Sequence, residues 1–117
     1  MKVIIAGSRG CNNLEMVERA VSRSGFKITE VISGCAHGID TMGERWAEKN
    51  GVPVVRFPAE WGKYGKAAGP IRNGQMAAYG EALIAVLAHQ SKGTRNMILQ
   101  MERLKKPIYV FNLPEGM

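Results

Sequence analysis

Short apolar runs that alternate with helical patterns constrain this chain more than any other feature. The runs fall at residues 3–6, 28–33, 52–57, 82–88 and 108–111. Apolar stretches of this length, bounded by glycine or proline, read as strands buried on both faces of a parallel sheet. Run 82–88 has no polar side chain and belongs at the sheet centre. Pro53 opens the third run, where a missing N–H is tolerated.

Helical periodicity fills the intervals. Asn12 or Asn13 can cap a helix reaching about Ser24, with Met16, Val17, Ala20 and Val21 on one face and Gly25 as its stop. A second helix begins near Ile39 or Asp40 and stops at Asn50-Gly51, and a third runs from Pro70 to Tyr79 with Gly80 as its stop. A fourth runs from Thr94, its N-cap, to Lys105, with Met97, Ile98, Met101 and Leu104 on one face. Lys105 and Lys106 suit its C-terminal end, and Pro107 ends it. Strands alternating with helices predict an α/β fold: a Rossmann-like three-layer sandwich with a mostly parallel five-stranded sheet and helices on both faces. The 117 residues read as one domain, 1–117, closing in a short tail.

No apolar run is long enough to span a bilayer, and the first strand is too short for a signal segment, so a cytoplasmic protein without a membrane partner is expected. Cys11 and Cys35 have neither CxxC nor zinc spacing and read as reduced thiols; no metal or cofactor is expected. The formal charge of +6 favours anionic partners.

In such a sheet, the loops after the strands open on one edge, where ligands bind. Here they are 7–9, 34–40, 59–73 and 90–95, and they hold Arg9, Lys63, Lys66, Arg72 and Arg95. The basic residues are therefore concentrated at that edge.

Segment 59–73 is the most specific of the four. Trp61 and Tyr64 offer base stacking, Lys63 and Lys66 charge, and Arg72-Asn73 a cation in a helix's first turn, where it opposes the dipole and favours a ligand role. Trp61 has a second reading, as a hydrophobic plug against the sheet edge. Gly7-Ser8-Arg9 combines close backbone approach, a hydroxyl donor and a bidentate guanidinium. In Gly34-Cys35-Ala36-His37-Gly38, two glycines surround a sharp turn whose following amides suit an anion. The spacing is neither G-x-G-x-x-G nor a Walker A loop. Asp40 either caps the second helix or contacts a ribose hydroxyl, and His37 either donates to phosphate or stands in solvent. Gly93-Thr94-Arg95 opens the last helix, where capping and phosphate contact can coexist.

Together these loops resemble the SLOG superfamily, the group that includes the DNA-processing protein DprA and the Lonely Guy phosphoribohydrolases. Within it the chain resembles the YspA-type, cpYpsA-related branch. The matching residues are Gly7-Ser8-Arg9, segment 33–40, the Ala59-Glu60-Trp61 start and Ala67-Ala68-Gly69-Pro70-Ile71-Arg72-Asn73 end of the third loop, and Gly93-Thr94. The match covers nearly the whole chain. It implies a Rossmann-like fold that binds nucleotides or nucleotide-derived ligands at the strand C-terminal edge, in a superfamily where homo-oligomers are common. The Lonely Guy enzymes carry a catalytic Glu in Pro-Gly-Gly-x-Gly-Thr-x-x-Glu; here Met97 occupies that position, and a thioether does no acid–base work. His37 stands where relatives often have Arg, and Asn96 where they often have Asp.

The leading expectation is binding of a nucleotide-like small molecule, in a sensor or sequestering role. The candidate ligand-binding residues are Gly7, Ser8, Arg9, Gly34, Cys35, Ala36, His37, Gly38, Asp40, Trp61, Lys66, Gly69, Arg72, Asn73, Gly93, Thr94 and Arg95. An alternative is a nucleoside 5′-monophosphate N-glycoside hydrolase, with Glu60 first and Asp40 second as catalysts, since no other carboxylate lies in the site loops. Single-stranded nucleic-acid binding is a third reading, suggested by the charge and by the distant resemblance to DprA.

Overall fold

A computed structural model describes residues 1–88 and 91–114. Gln90, at the start of the expected fourth loop, and the end of the expected tail lie outside the described residues. The elements are β1 (Lys2–Gly7), α1 (Leu14–Ser24), β2 (Glu30–Ser33), α2 (Ile39–Lys49), β3 (Val54–Arg56), α3 (Trp61–Tyr64), a 3₁₀ turn (Gly65–Ala67), α4 (Ala68–Tyr79), β4 (Ala82–Leu87), α5 (Lys92–Arg103) and β5 (Ile108–Asn112). The strands form one sheet in the order β3-β2-β1-β4-β5, with all four pairings parallel. This is the expected α/β fold.

Alternation along the strands builds two cores. Val3, Ile5, Val31, Ile84 and Val86 face α1 and α2, where they meet Met16, Val17, Ala20 and Met42. Ile4, Ile32, Leu83 and Ala85 face the opposite layer, against Met76 and Ala77 of α4 and Met97 and Met101 of α5. β4 is buried at every residue, as its uninterrupted apolar sequence requires.

Several boundaries follow local chemistry. Asn13 caps α1 by accepting from Glu15 N–H at 3.0 Å, and Gly25 ends it in the left-handed region at φ 70°. Segment 59–73 is mostly helical rather than a loop: α3 and the 3₁₀ turn lead straight into α4, which starts at Ala68. Pro70 is thus its third residue, a position whose N–H has no intrahelical acceptor in any case. α5 starts at Lys92 with Ser91 as N-cap, so Thr94 lies inside the first turn and is not the cap. Lys106 does not serve its own helix. Its Nζ reaches the C-terminal end of α4, donating to Ala77 O at 2.7 Å and Gly80 O at 2.8 Å. Gly80 is extended, at φ −78° and ψ 158°; its lack of a side chain makes room for Ile32 and Ile4.

Candidate functional site

β1 and β4 are neighbours whose connections leave in opposite directions, so a crevice opens beyond their C-terminal ends. Ser8 braces the strand ends behind it. Its N–H donates to Val86 O at 3.0 Å, its Oγ accepts from Ala88 N–H at 2.8 Å, and Oγ shares a hydrogen bond with Ser91 Oγ at 2.7 Å. The hydroxyl expected to meet a ligand therefore also ties the β1 loop to the start of α5. Gly38 sits at φ 78°, with space for a Cβ closed off by Ser8 O and Arg9 O. It lets the second loop pass under the first, and Ile39 N–H donates to Ser8 O at 3.1 Å.

Arg72 links the second and third loops. Its Nη1 donates to Gly34 O and, at 3.4 Å, to Phe57 O, and its Nε donates to Asn73 Oδ1 at 3.0 Å. Nη2 has no partner among the described residues. Burial pulls this guanidinium below its usual pKa, against the opposing effect of Asp40, and arginine remains charged throughout. A Cβ at Gly34 would stand 2.7 Å from Arg72 Nη1 and 2.9 Å from Asp40 Oδ2, so the glycine is what lets the two side chains converge.

Asp40 is 6% exposed. It is the second residue of α2, and it does not cap that helix: the N-cap is Gly38, and no side-chain cap bond forms. Instead its Oδ2 accepts from Ala36 N–H at 3.1 Å and closes the loop. Burial lifts its pKa to about 6, against the lowering effects of the Ala36 bond, Arg72 and Arg9. Cys35 is exposed at φ 66°; partial desolvation of its thiol, followed by the Glu44 charge, raises its pKa above the ordinary value. Cys11 is buried and free.

Asn73 is 4% exposed. Its Nδ2 donates to Gly93 O at 3.2 Å and Asn96 Oδ1 at 3.0 Å, fastening α4 to the start of α5. At that start, Ser91 Oγ is engaged with Ser8, and no side chain caps the helix. The amides of Lys92, Gly93 and Thr94 lack intrahelical acceptors, and no acidic residue stands in this turn.

These elements enclose a cleft of about 450 Å³ lined by Gly7, Arg9, Ala36, Asp40, Arg72 and Asn73 and by the α5 start, Ser91 to Thr94. Ala6, Met76 and Met97 form its apolar floor. A second lobe of about 370 Å³ shares Arg9, Ala36 and Arg72 and adds Gly34, Cys35, His37 and Trp61. Trp61 is 52% exposed, which removes the reading of it as a buried plug; its ring packs beside Gly69. Ser8, Gly38, Lys66, Gly69, Arg95 and Glu60 line neither lobe. Glu60 is exposed and lies 4.0 Å from Lys63.

Sequence reasoning missed Ser91 and Lys92 as cleft residues, because the helix start was placed two residues late. It also missed a support beneath the second loop: buried Ser33 donates to Glu44 Oε2 at 2.6 Å and accepts from Cys35 N–H, while Arg56 pairs with Glu44 at 2.9 Å. A polar Ser directly after the apolar pair Val31-Ile32 was the available signal.

Fold and site together define a doubly wound α/β domain with a ligand-sized cleft at the switch point of its sheet. The chain belongs to the YspA, cpYpsA-related SLOG family (YAcAr), which matches residues 1–64. It is 30% identical over 120 residues to the Gene 61 protein of Mycobacterium phage D29, covering 94% of this chain and 95% of that protein. The X-ray structure of DNA processing protein A (DprA) from Streptococcus pneumoniae has the same fold, with a TM-score of 0.71 at 20% identity over 99% of this chain. This chain spans 50% of that DprA chain.

Proposed function

We propose that this protein binds a nucleotide or nucleotide-derived small molecule in the switch-point cleft, with a phosphate at the N-terminus of α5, and acts as a sensor or sequestering protein. The observation that carries this reading is the uncapped α5 start. Its free amides line the cleft beside Arg9 and Arg72, and its N-cap hydroxyl is engaged elsewhere. The second lobe offers Trp61 as a stacking surface for a base.

Native mass spectrometry of the purified protein, with thermal shift across a nucleotide panel, tests this. Nucleotide-sized bound mass or a ligand-dependent rise in melting temperature is expected; neither appearing would reject the reading. Gly93→Asp separates binding from folding. A Cβ at Gly93 meets no atom within 4 Å, and an acid in the first turn of α5 favours the helix dipole. The variant should keep its stability and lose phosphate-dependent binding by tenfold or more.

One observation favours a second reading, N-glycoside hydrolysis: a buried carboxylate, Asp40, lines the cleft. Release of free base from a nucleoside 5′-monophosphate, abolished in Asp40→Asn, would establish it. Unchanged turnover in that variant would exclude Asp40 as catalyst.

A further inference from the structure

The two helix starts that meet at the cleft differ in charge. α5 has no acid in its first turn, whereas α2 carries Asp40 in the same place. Asp40 lines the cleft although it is 6% exposed, and only one of its oxygens is used: Oδ2 takes the Ala36 N–H. Oδ1 has no hydrogen-bond partner among the described residues, and Asp40 forms no ion pair among them. The nearby Arg72 does not donate to it: Nη1 goes to Gly34 O and Phe57 O and Nε to Asn73.

No side-chain oxygen among the described residues is both buried and unpartnered, so Oδ1 reaches the solvent of the cleft, and a ligand that displaces water from it must bring a donor or leave the carboxylate unsatisfied. A phosphate cannot supply it, because like charges in a low-dielectric site repel. The α2 end of the cleft therefore calls for a neutral donor, while the α5 end calls for an anion. A nucleotide carries both: phosphate oxygens at one end of its sugar and hydroxyls on the ring.

We infer that Asp40 Oδ1 accepts a ribose hydroxyl of the bound nucleotide, so that the cleft selects ribonucleotides over their deoxy counterparts. The inference rests on the nucleotide reading above and adds a sugar specificity to it. Asp40 becomes the specificity-determining residue, with Ala36 N–H holding its carboxylate in orientation. At pH 7.5 the carboxylate is ionised, its pKa being about 6, and can only accept. A hydrogen bond to a charged acceptor in such a site corresponds to about tenfold to a hundredfold in affinity.

Isothermal titration at pH 7.5 with adenosine, guanosine, cytidine and uridine 5′-mono- and diphosphates, and with their 2′- and 3′-deoxy forms, tests it. The tightest ribonucleotide should lose about tenfold to a hundredfold on removal of one hydroxyl. Asp40→Asn keeps an oxygen for Ala36 N–H and should compress that ratio to less than about threefold, with its fold verified by circular dichroism. Equal binding of ribo and deoxy forms to the natural protein overturns the inference and leaves the nucleotide reading standing. A ratio retained in Asp40→Asn overturns the role of Asp40. No binding by any member of the panel overturns both. The ratio in the natural protein decides the sugar preference even if the variant does not fold.

Discussion

Asp40 shows how one residue type serves stability and site at once, with opposite signs. Its folded pKa, about 6, lies above the 3.8 of an ordinary Asp, because burial outweighs the Ala36 hydrogen bond and the attraction of Arg72 and Arg9, with Glu44 adding repulsion. A raised pKa means the folded state disfavours the charge. The stability it contributes is complete below pH 3.8 and is lost as pH rises through about 6. Stability measured by urea unfolding should therefore be greater at pH 5 than at pH 8 by about 1–2 kcal/mol from this group. Asp40→Asn should flatten that difference and raise stability at pH 8, provided it keeps the Ala36 bond. A variant with the same pH dependence as the natural protein would assign the effect elsewhere. At this scale the sequence was only partly legible. Gly34, Arg72 and Asp40 could be placed at the same sheet edge, because each lies in the segment that follows a strand or at the start of the next helix. That Gly34 is the gap through which Arg72 and Asp40 approach, and that Asn73 and Ser8 brace the α5 start, depends on contacts between residues up to 83 positions apart. No local pattern encodes those.

At the scale of elements, apolar periodicity was a reliable guide where an element has one buried face or two. All five strands and the four longer helices are readable that way. Exposed α3 was not: it buries no residue, so nothing in its sequence repeats at helical spacing. The α5 start was misplaced because Thr94 is a good N-cap by type, while the actual cap, Ser91, is recognisable only through its partner Ser8. Helix glycines give a sharper test of packing. Gly43 lies in α2 against the central strand, where a Cβ would come within 2.9 Å of Ile5 Cβ and Cγ2. Gly74 lies in α4, where the nearest atom to a new Cβ is Gln100 Nε2 at 3.8 Å. Alanine gains about 1 kcal/mol of helix propensity at either site. At Gly43 overpacking costs about 1–3 kcal/mol, so Gly43→Ala should be destabilising by up to about 2 kcal/mol net. Gly74→Ala should be stabilising by about 0.5–1 kcal/mol. Thermal melts of the two variants moving in the same direction would contradict this account of how α2 sits on the sheet.

For the whole molecule, the sheet order places the cleft between its two halves. β1, the second loop and α2 supply Arg9, Ala36 and Asp40; α4 and α5 supply Arg72, Asn73 and the free amides. A bound ligand would bridge both halves. The net charge of +6 favours any polyanion as well as a small phosphate ligand, and salt distinguishes the two. A nucleic acid held through many phosphates releases many counterions, and contacts to 6–10 phosphates lose about 10³- to 10⁵-fold in affinity between 50 and 200 mM salt. A nucleotide in the cleft would meet Arg9, Arg72, Lys92 and one helix end, at short range and partly shielded from the ionic atmosphere. Its affinity should fall by only about threefold to tenfold over the same interval. Titrations of the tightest nucleotide and of a single-stranded oligonucleotide at both salt concentrations measure this directly. If the oligonucleotide binds more tightly than the nucleotide at 200 mM salt, the basic edge is a nucleic-acid surface, and the cleft is one contact within it.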